Sequence, residues 1–167
     1  MITFIGMPGS GKSCMSRTLS KKLKMPMLDG DRLIEKNTGR KLQEIIDNDG
    51  MEAFMDLEQR TLLSINDDNV IVSPGGSAVY YDEVMKHFKS KGPVIYLYVS
   101  YETMKERLGD YSKRGVVLKP GTTLLDLYNE RKVLLEKYAD ITINCDGKDF
   151  AKYHRDVFAA VANLNRN

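Results

Sequence analysis

The 167-residue chain carries 25 Lys and Arg against 23 Asp and Glu, a formal net charge of +2, with 42% hydrophobic and 29% charged residues. That length implies one domain with a sizeable core, and so small a net charge argues against dedicated nucleic-acid binding, although a local basic cluster could still serve a phosphorylated ligand. Two cysteines, Cys14 and Cys145, make no disulfide framework, and without a signal peptide or an apolar run of about 18 residues the chain reads as soluble and cytoplasmic, with no membrane partner.

In chain order, residues 2–5 form a first short apolar run of strand type, followed at once by GMPGSGKSC at 6–14. An amphipathic pattern over 12–24 predicts a helix, and residues 25–28 are a weaker strand ending at Asp29, with Asp31 two positions on. The stretch 33–50 holds two short helical pieces separated by Thr38 and Gly39, and 51–66 reads as a longer helix. Strand-like runs then recur at 70–72, 94–99 and 141–143, alternating with helical patterns at 82–91, 101–108, 124–138 and 149–163. Near-continuous apolar strands alternating with amphipathic helices predict an α/β fold, a three-layer doubly wound parallel sheet. Residues 110–123, DYSKRGVVLKPGTT, have no clear period and suit a lid. Both irregular stretches leave the sheet near its carboxyl edge, where such sheets bind ligands.

Gly6, Gly11, Lys12 and Ser13 satisfy G-x-x-x-x-G-K-[ST], with a strand before and a helix after. The N–H groups of Gly9, Ser10, Gly11 and the helix start through Cys14 can surround phosphate oxygens, so a nucleoside triphosphate is the expected ligand. Lys12 would reach the β/γ-phosphates and the Ser13 hydroxyl would face Mg²⁺. Guanine readers usually carry N-K-x-D, and the chain has no Asn-Lys pair. Asp47-Asn48-Asp49-Gly50 fits D-x-x-G but follows a helical pattern, so it reads as coincidence.

The acid that manages Mg²⁺ is sought at a strand end. The strands at 70–72 and 94–99 end in Ser73-Pro74-Gly75 and Ser100, without a carboxylate, whereas 25–28 ends at Asp29. The first helix leads away from the phosphates by roughly 20 Å and the second strand returns a similar distance, which sets Asp29 and Asp31 beside the phosphate loop. One can order Mg²⁺-bound water while the other accepts a hydrogen bond from an attacking hydroxyl. A helix cap at Asp29 or Asp31 is compatible with either role.

The phosphate loop, LDGD at 28–31, GRKLQEIIDNDGMEAF at 39–54, PGGSAV at 74–79 and ERKVLLEKYAD at 130–140 together resemble the shikimate kinase family, small-metabolite relatives of the nucleoside monophosphate kinases. The resemblance runs from about Ile2 to Cys145. It implies a P-loop kinase domain with its core in residues 1–30, 67–109 and 124–167, a substrate-binding segment at 31–66 and a lid at 110–123. ATP with Mg²⁺ would phosphorylate a small hydroxylated acid, shikimate first, giving shikimate 3-phosphate, and a monomer is expected. The resemblance further implies that Asp29 and Ser13 order Mg²⁺, that Asp31 contacts the acceptor hydroxyl as base or orienting group, and that Gly75, Gly76 and Ser77 line the acceptor. Arg107 would lie against adenine, Arg114 in the lid would bridge phosphates or acceptor, and Arg131 would pair with the acceptor carboxylate.

The chain departs from the pattern in three places: Ser77 stands where the family has the third residue of a triple glycine, the lid reads RGVVLKPGTTL where many relatives have Arg-Pro-Leu-Leu, and the sharpest departure is Met55. Shikimate kinases place Arg directly after the Phe of the G-E-x-x-F-R stretch, and here that position is Met55. Losing a bidentate carboxylate contact would remove roughly 1.5–3 kcal/mol. Either Arg131 holds the carboxylate with another cation such as Arg60 or Lys119, or the acceptor is a different hydroxylated metabolite such as homoserine. Arg60 lies five positions beyond Met55 and cannot share its face. Met55 could also simply fill a packing gap. From another class, the chain could be a nucleotide-binding regulatory module without transfer activity, which intact Lys12, Ser13, Asp29 and Asp31 oppose. Cys14 reads as a small buried residue, His87 and His154 as surface helix positions, and Tyr80, Tyr81, Tyr96, Tyr98 and Tyr101 as core or sheet-edge aromatics.

Overall fold

Every residue of β1 (Ile2–Gly6) is buried, as expected of a strand covered on both faces, for which an unbroken apolar run is suited. It is the centre of a five-stranded sheet ordered β2-β3-β1-β4-β5, with β2 (Met27–Asp29), β3 (Ile71–Ser73), β4 (Val94–Tyr98) and β5 (Ile141–Asn144). All of its pairings are parallel, and helices cover both sides, as the alternating pattern predicts. The computed structural model of the chain describes residues 1–109 and 121–164. No helix among these is long and apolar enough to cross a membrane.

The helices are α1 (Lys12–Leu23), α2 (Gly30–Thr38), α3 (Leu42–Asp49), α4 (Met51–Leu63), α5 (Asp82–Lys91), α6 (Tyr101–Leu108), α7 (Leu124–Tyr138) and α8 (Phe150–Leu164). Their ends follow from local chemistry. The Ser100 hydroxyl accepts from the Thr103 N–H at 3.2 Å to start α6, and Thr123 with Asp126 forms a capping box that starts α7. β2 begins at Met27 rather than at 25 because Lys24 takes a left-handed φ of 54°. That turn lets the Met25 N–H bond the Ser20 carbonyl, so Met25 finishes α1. α2 begins at Gly30, before the expected 33, because the Asp29 side chain accepts from the Arg32 N–H at 3.3 Å.

The main core packs Phe4, Leu19, Phe88, Ile95 and Tyr96, each at most 1% exposed, around the sheet. A smaller cluster of Ile34, Ile45 and Phe54 sits under α2, α3 and α4. Parallel register puts Asp29 opposite Ser73 and Gly6 opposite Leu97. The phosphate loop, Asp29 and the segment after β3 therefore emerge along one edge of the sheet.

Close approach at Gly6 holds the loop to that edge. A Cβ there would stand 2.8 Å from the Leu97 carbonyl oxygen and 2.6 Å from Ser10 Oγ. Gly6→Ala must therefore separate β1 from β4 or reshape the loop. We expect it to lower the unfolding free energy by about 1–3 kcal/mol in urea titration and to weaken ATP binding about tenfold. An unchanged transition with unchanged affinity would contradict this packing.

Candidate active site

The phosphate loop returns on itself through a Ser10 N–H to Met7 carbonyl bond of 3.1 Å. Gly9 and Gly11 take left-handed φ values of 77° and 96°, which glycine adopts without steric cost. Lys12 Nζ donates to the Gly6 and Met7 carbonyls at 2.9 and 3.0 Å. Burial lowers its pKa to about 8, the nearby Arg131 charge adds to the lowering, and Asp31 and Asp29 oppose it. Cys14 is exposed, contrary to the sequence expectation. Met15, Ser16 and Leu19 occupy the inward positions of α1, and Cys14 is turned outward beside them.

Asp29 does two things at once. One carboxylate oxygen caps α2, and the other accepts from the Ser13 hydroxyl at 3.3 Å. A hydroxyl and a carboxylate oxygen this close suit Mg²⁺, a hard cation bound through few protein oxygens while phosphates and waters complete its octahedron. Asp31, in the first turn of α2, is open to the cleft on one side. The protein around it still desolvates the carboxylate, and with the charges of Asp29 and Glu58 this raises its pKa to about 6.

Opposite Asp31 runs the segment that follows β3. A Cβ on Gly75 would stand 3.0 Å from Asp31 Oδ1 and 2.9 Å from Glu58 Oε1, and one on Gly76 would stand 2.7 Å from Arg131 Nη1. Any side chain at either position would enter the space between these charged groups. Arg131 comes from α7 and lies against Tyr80, its Nε 3.3 Å from the Tyr80 hydroxyl. Asp126, one pairing a solvated arginine would use, is engaged by Thr123. Lys12, Ser13, Asp29, Asp31, Gly75, Gly76, Ser77 and Arg131 thus come together along one cleft.

Glu58 was not anticipated. It is 1% exposed, yet it sits on α4, where a Glu normally reads as part of a solvated face. Ser77 donates to both of its carboxylate oxygens at 2.7 and 2.8 Å, and the Tyr81 hydroxyl donates to one at 2.7 Å. Burial, and then the Glu58 charge, raise the Tyr81 pKa, so its hydroxyl stays protonated and able to donate. The available signal was spacing: Phe54, Glu58, Thr61 and Leu62 are the buried residues of α4 and recur at i, i+4, i+7 and i+8. Tyr81 is a core aromatic as expected, and it and Tyr80 also reach these charged groups.

Arg107 sits on the far side of the phosphate loop. Its Nη2 donates to the Cys145 and Gly147 carbonyls, each at 2.7 Å, and Nη1 reaches the Gly9 carbonyl at 3.4 Å. With Ser10, Gly11, Cys14, Cys145 and Phe150 it lines a pocket continuous with the loop, so it is no free surface charge. Met55 is 39% exposed and fills no gap in the core. Arg60 bonds back to the Asp56 carbonyl on the outside of α4 and does not enter the cleft. Arg114, Lys119 and most of the expected lid lie outside the described residues.

Comparison with known proteins bears on the family and the fold. The shikimate kinase family model matches residues 8–162. The chain is 34% identical over 148 residues to shikimate kinase of a Sulfurihydrogenibium species, covering 88% of this chain and 89% of the relative. It is 32% identical over 149 residues to shikimate kinase 1 of Escherichia coli, covering 87% and 86%. Among solved structures, a shikimate kinase of Acinetobacter baumannii in complex with shikimate superposes with a TM-score of 0.84 at 24% identity, covering 97% of this chain and 92% of the other; that likeness speaks to the fold.

The buried carboxylate gives a direct test. Tyr81→Phe removes one of the donors to Glu58 and leaves its volume otherwise filled. Urea unfolding is expected to show a loss of roughly 1–3 kcal/mol, and wild-type stability would mean that Glu58 does not depend on this hydroxyl.

Proposed function

The chain belongs to the shikimate kinase family and is an ATP-dependent kinase of shikimate, and we propose the following roles for its residues. The backbone N–H groups of Gly9, Ser10, Gly11 and the start of α1 through Cys14 bind the ATP phosphates, with Lys12 neutralising the β- and γ-oxygens. Arg107, braced by the carbonyls of Cys145 and Gly147, offers its planar face to adenine. Ser13 and Asp29 hold Mg²⁺, which when bound supplies positive charge against the phosphate oxygens. Arg114 meets the phosphates or acceptor from the lid.

On the acceptor side, Arg131 grips the shikimate carboxylate and Asp31 receives the hydroxyl that attacks. Gly75 and Gly76 leave room for the ring between them, and Ser77 keeps that wall in place. The observation that most supports this is convergence: Asp31 Oδ1 and Arg131 Nη1 approach two consecutive glycines, 3.0 and 2.7 Å from where their Cβ atoms would be. An acceptor with a hydroxyl at one end and a carboxylate at the other spans such a pair. A carboxyl whose pKa is raised to about 6 is ionised at neutral pH, yet basic enough to accept the hydroxyl proton as the bond to phosphorus forms. The remaining work is alignment and charge neutralisation.

Family membership does not favour the other readings, a different acceptor such as homoserine or a regulatory module without transfer. We take residues 31–66 as the acceptor segment, 110–123 as the lid and the remainder as the core, working as a cytoplasmic monomer on small molecules without nucleic-acid or membrane partners.

ADP release with ATP, Mg²⁺ and a panel of hydroxylated acids tests the assignment. Release is expected to be fast with shikimate alone, to stop on chelation with EDTA and to return with added Mg²⁺. Asp31→Asn should lower kcat by about 10²–10⁴ while ATP affinity stays within about twofold of wild type. Undiminished turnover in that variant would refute the role given to Asp31.

A further inference from the structure

A lone arginine grips a carboxylate through two parallel bonds only when its guanidinium plane is held, because the free side chain samples many rotamers. Met55 brings no cation from α4 to the acceptor pocket, so the orientation of Arg131 matters more here than where α4 supplies an arginine as well. Among the described residues, Tyr80 is positioned to orient Arg131. Arg131 Nε donates to the Tyr80 hydroxyl at 3.3 Å, and the guanidinium carbon stands 5.4 Å from the centroid of the same ring. One side of the guanidinium and its Nε are thereby engaged, and Nη1 is left facing Gly76 and the cleft.

Tyr80 is itself firmly carried. It ends a short 3-10 turn, Ala78–Tyr80, closed by a Tyr80 N–H to Ser77 carbonyl bond of 2.9 Å and a Tyr81 N–H to Ala78 carbonyl bond of 3.1 Å. The residues flanking that turn, Ser77 and Tyr81, both donate their hydroxyls to the buried Glu58 carboxylate. One anion on α4 therefore ties down both ends of the turn, and the turn presents Tyr80 to Arg131 across from α7.

We infer that Tyr80 is a positioning residue for acceptor recognition: it sets the plane of Arg131, and Glu58 sets Tyr80 through Ser77 and Tyr81. The inference rests on the reading of Arg131 as the group that binds the shikimate carboxylate. It assigns to one tyrosine and one buried acid the task of holding the plane of Arg131.

Steady-state kinetics of Tyr80→Leu, Tyr80→Phe, Arg131→Gln and the Tyr80→Leu/Arg131→Gln double variant test it, with thermal melts to follow folding. Tyr80→Leu should raise KM for shikimate about tenfold, with kcat and KM for ATP within about twofold of wild type. Tyr80→Phe keeps the ring and should raise it only about threefold. In the Arg131→Gln background, Tyr80→Leu should add no further rise. An equal rise in both backgrounds, or a parallel rise in KM for ATP, would overturn the inference. So would an ordinary KM in Tyr80→Leu beside a raised KM in Arg131→Gln, which leaves the Arg131 assignment standing. An ordinary shikimate KM in Arg131→Gln would overturn that assignment and this inference together.

Discussion

A carboxylate taken out of water must be met by donors, and the acceptor side of this cleft is arranged around that requirement at Glu58. An unanswered buried charge is among the most costly features a fold can carry. Here the answer is two hydroxyls, Ser77 and Tyr81, that flank one short turn. Their bonds fasten α4 to the chain leaving β3, and so fasten the small cluster under α2, α3 and α4 to the carboxyl edge of the sheet. The same bonds hold Gly75 and Gly76 between Asp31 and Arg131. Neutral hydroxyls, not a cation, take up the anion here.

The cleft between the two binding sides brings charged groups close together in partly buried surroundings. Lys12 is driven down to about 8 by burial and by Arg131, and Asp31 is driven up to about 6 by burial and by Asp29 and Glu58. Both shifts come first from burial, which disfavours the charged form, and like charges nearby add to it. A phosphate placed at Lys12 and a carboxylate placed at Arg131 would relieve the cationic half of that repulsion. On the proposed assignment, the site is preorganised for two anionic groups, with the hydroxyl to be phosphorylated on the Asp31 side.

Much of the frame was legible in the residues, because it rests on local chemistry. The phosphate loop announced itself by motif between a strand and a helix, and α5, α6 and α7 ran over the expected residues. For α6 and α7, Ser100 and Thr123 supply the caps that mark where they start. The departures also have local causes: Lys24 in a left-handed turn shortens β2, and the Asp29 cap extends α2 toward the sheet. Cys14 was misread because its position on α1 is the outward one, which only the helix phase relative to the sheet decides. Glu58, Tyr80 and Tyr81 stayed hidden for a different reason. Their roles depend on partners 19 to 51 residues away in the chain, and no local pattern encodes such a pairing. Glu58 alone left a trace, a charge on the apolar stripe of α4.

One requirement of the proposed assignment goes beyond the general properties of a P-loop kinase: Arg131, without help from α4, recognises the acceptor carboxylate. The most direct measurement compares kcat/KM for shikimate with that for its carboxamide, in the wild-type enzyme and in Arg131→Gln. The wild type should prefer the carboxylate by roughly 10–100-fold, and Arg131→Gln should bring the two acceptors to within about threefold of each other. A wild-type enzyme indifferent to the change, or one whose preference survives the loss of Arg131, would contradict it.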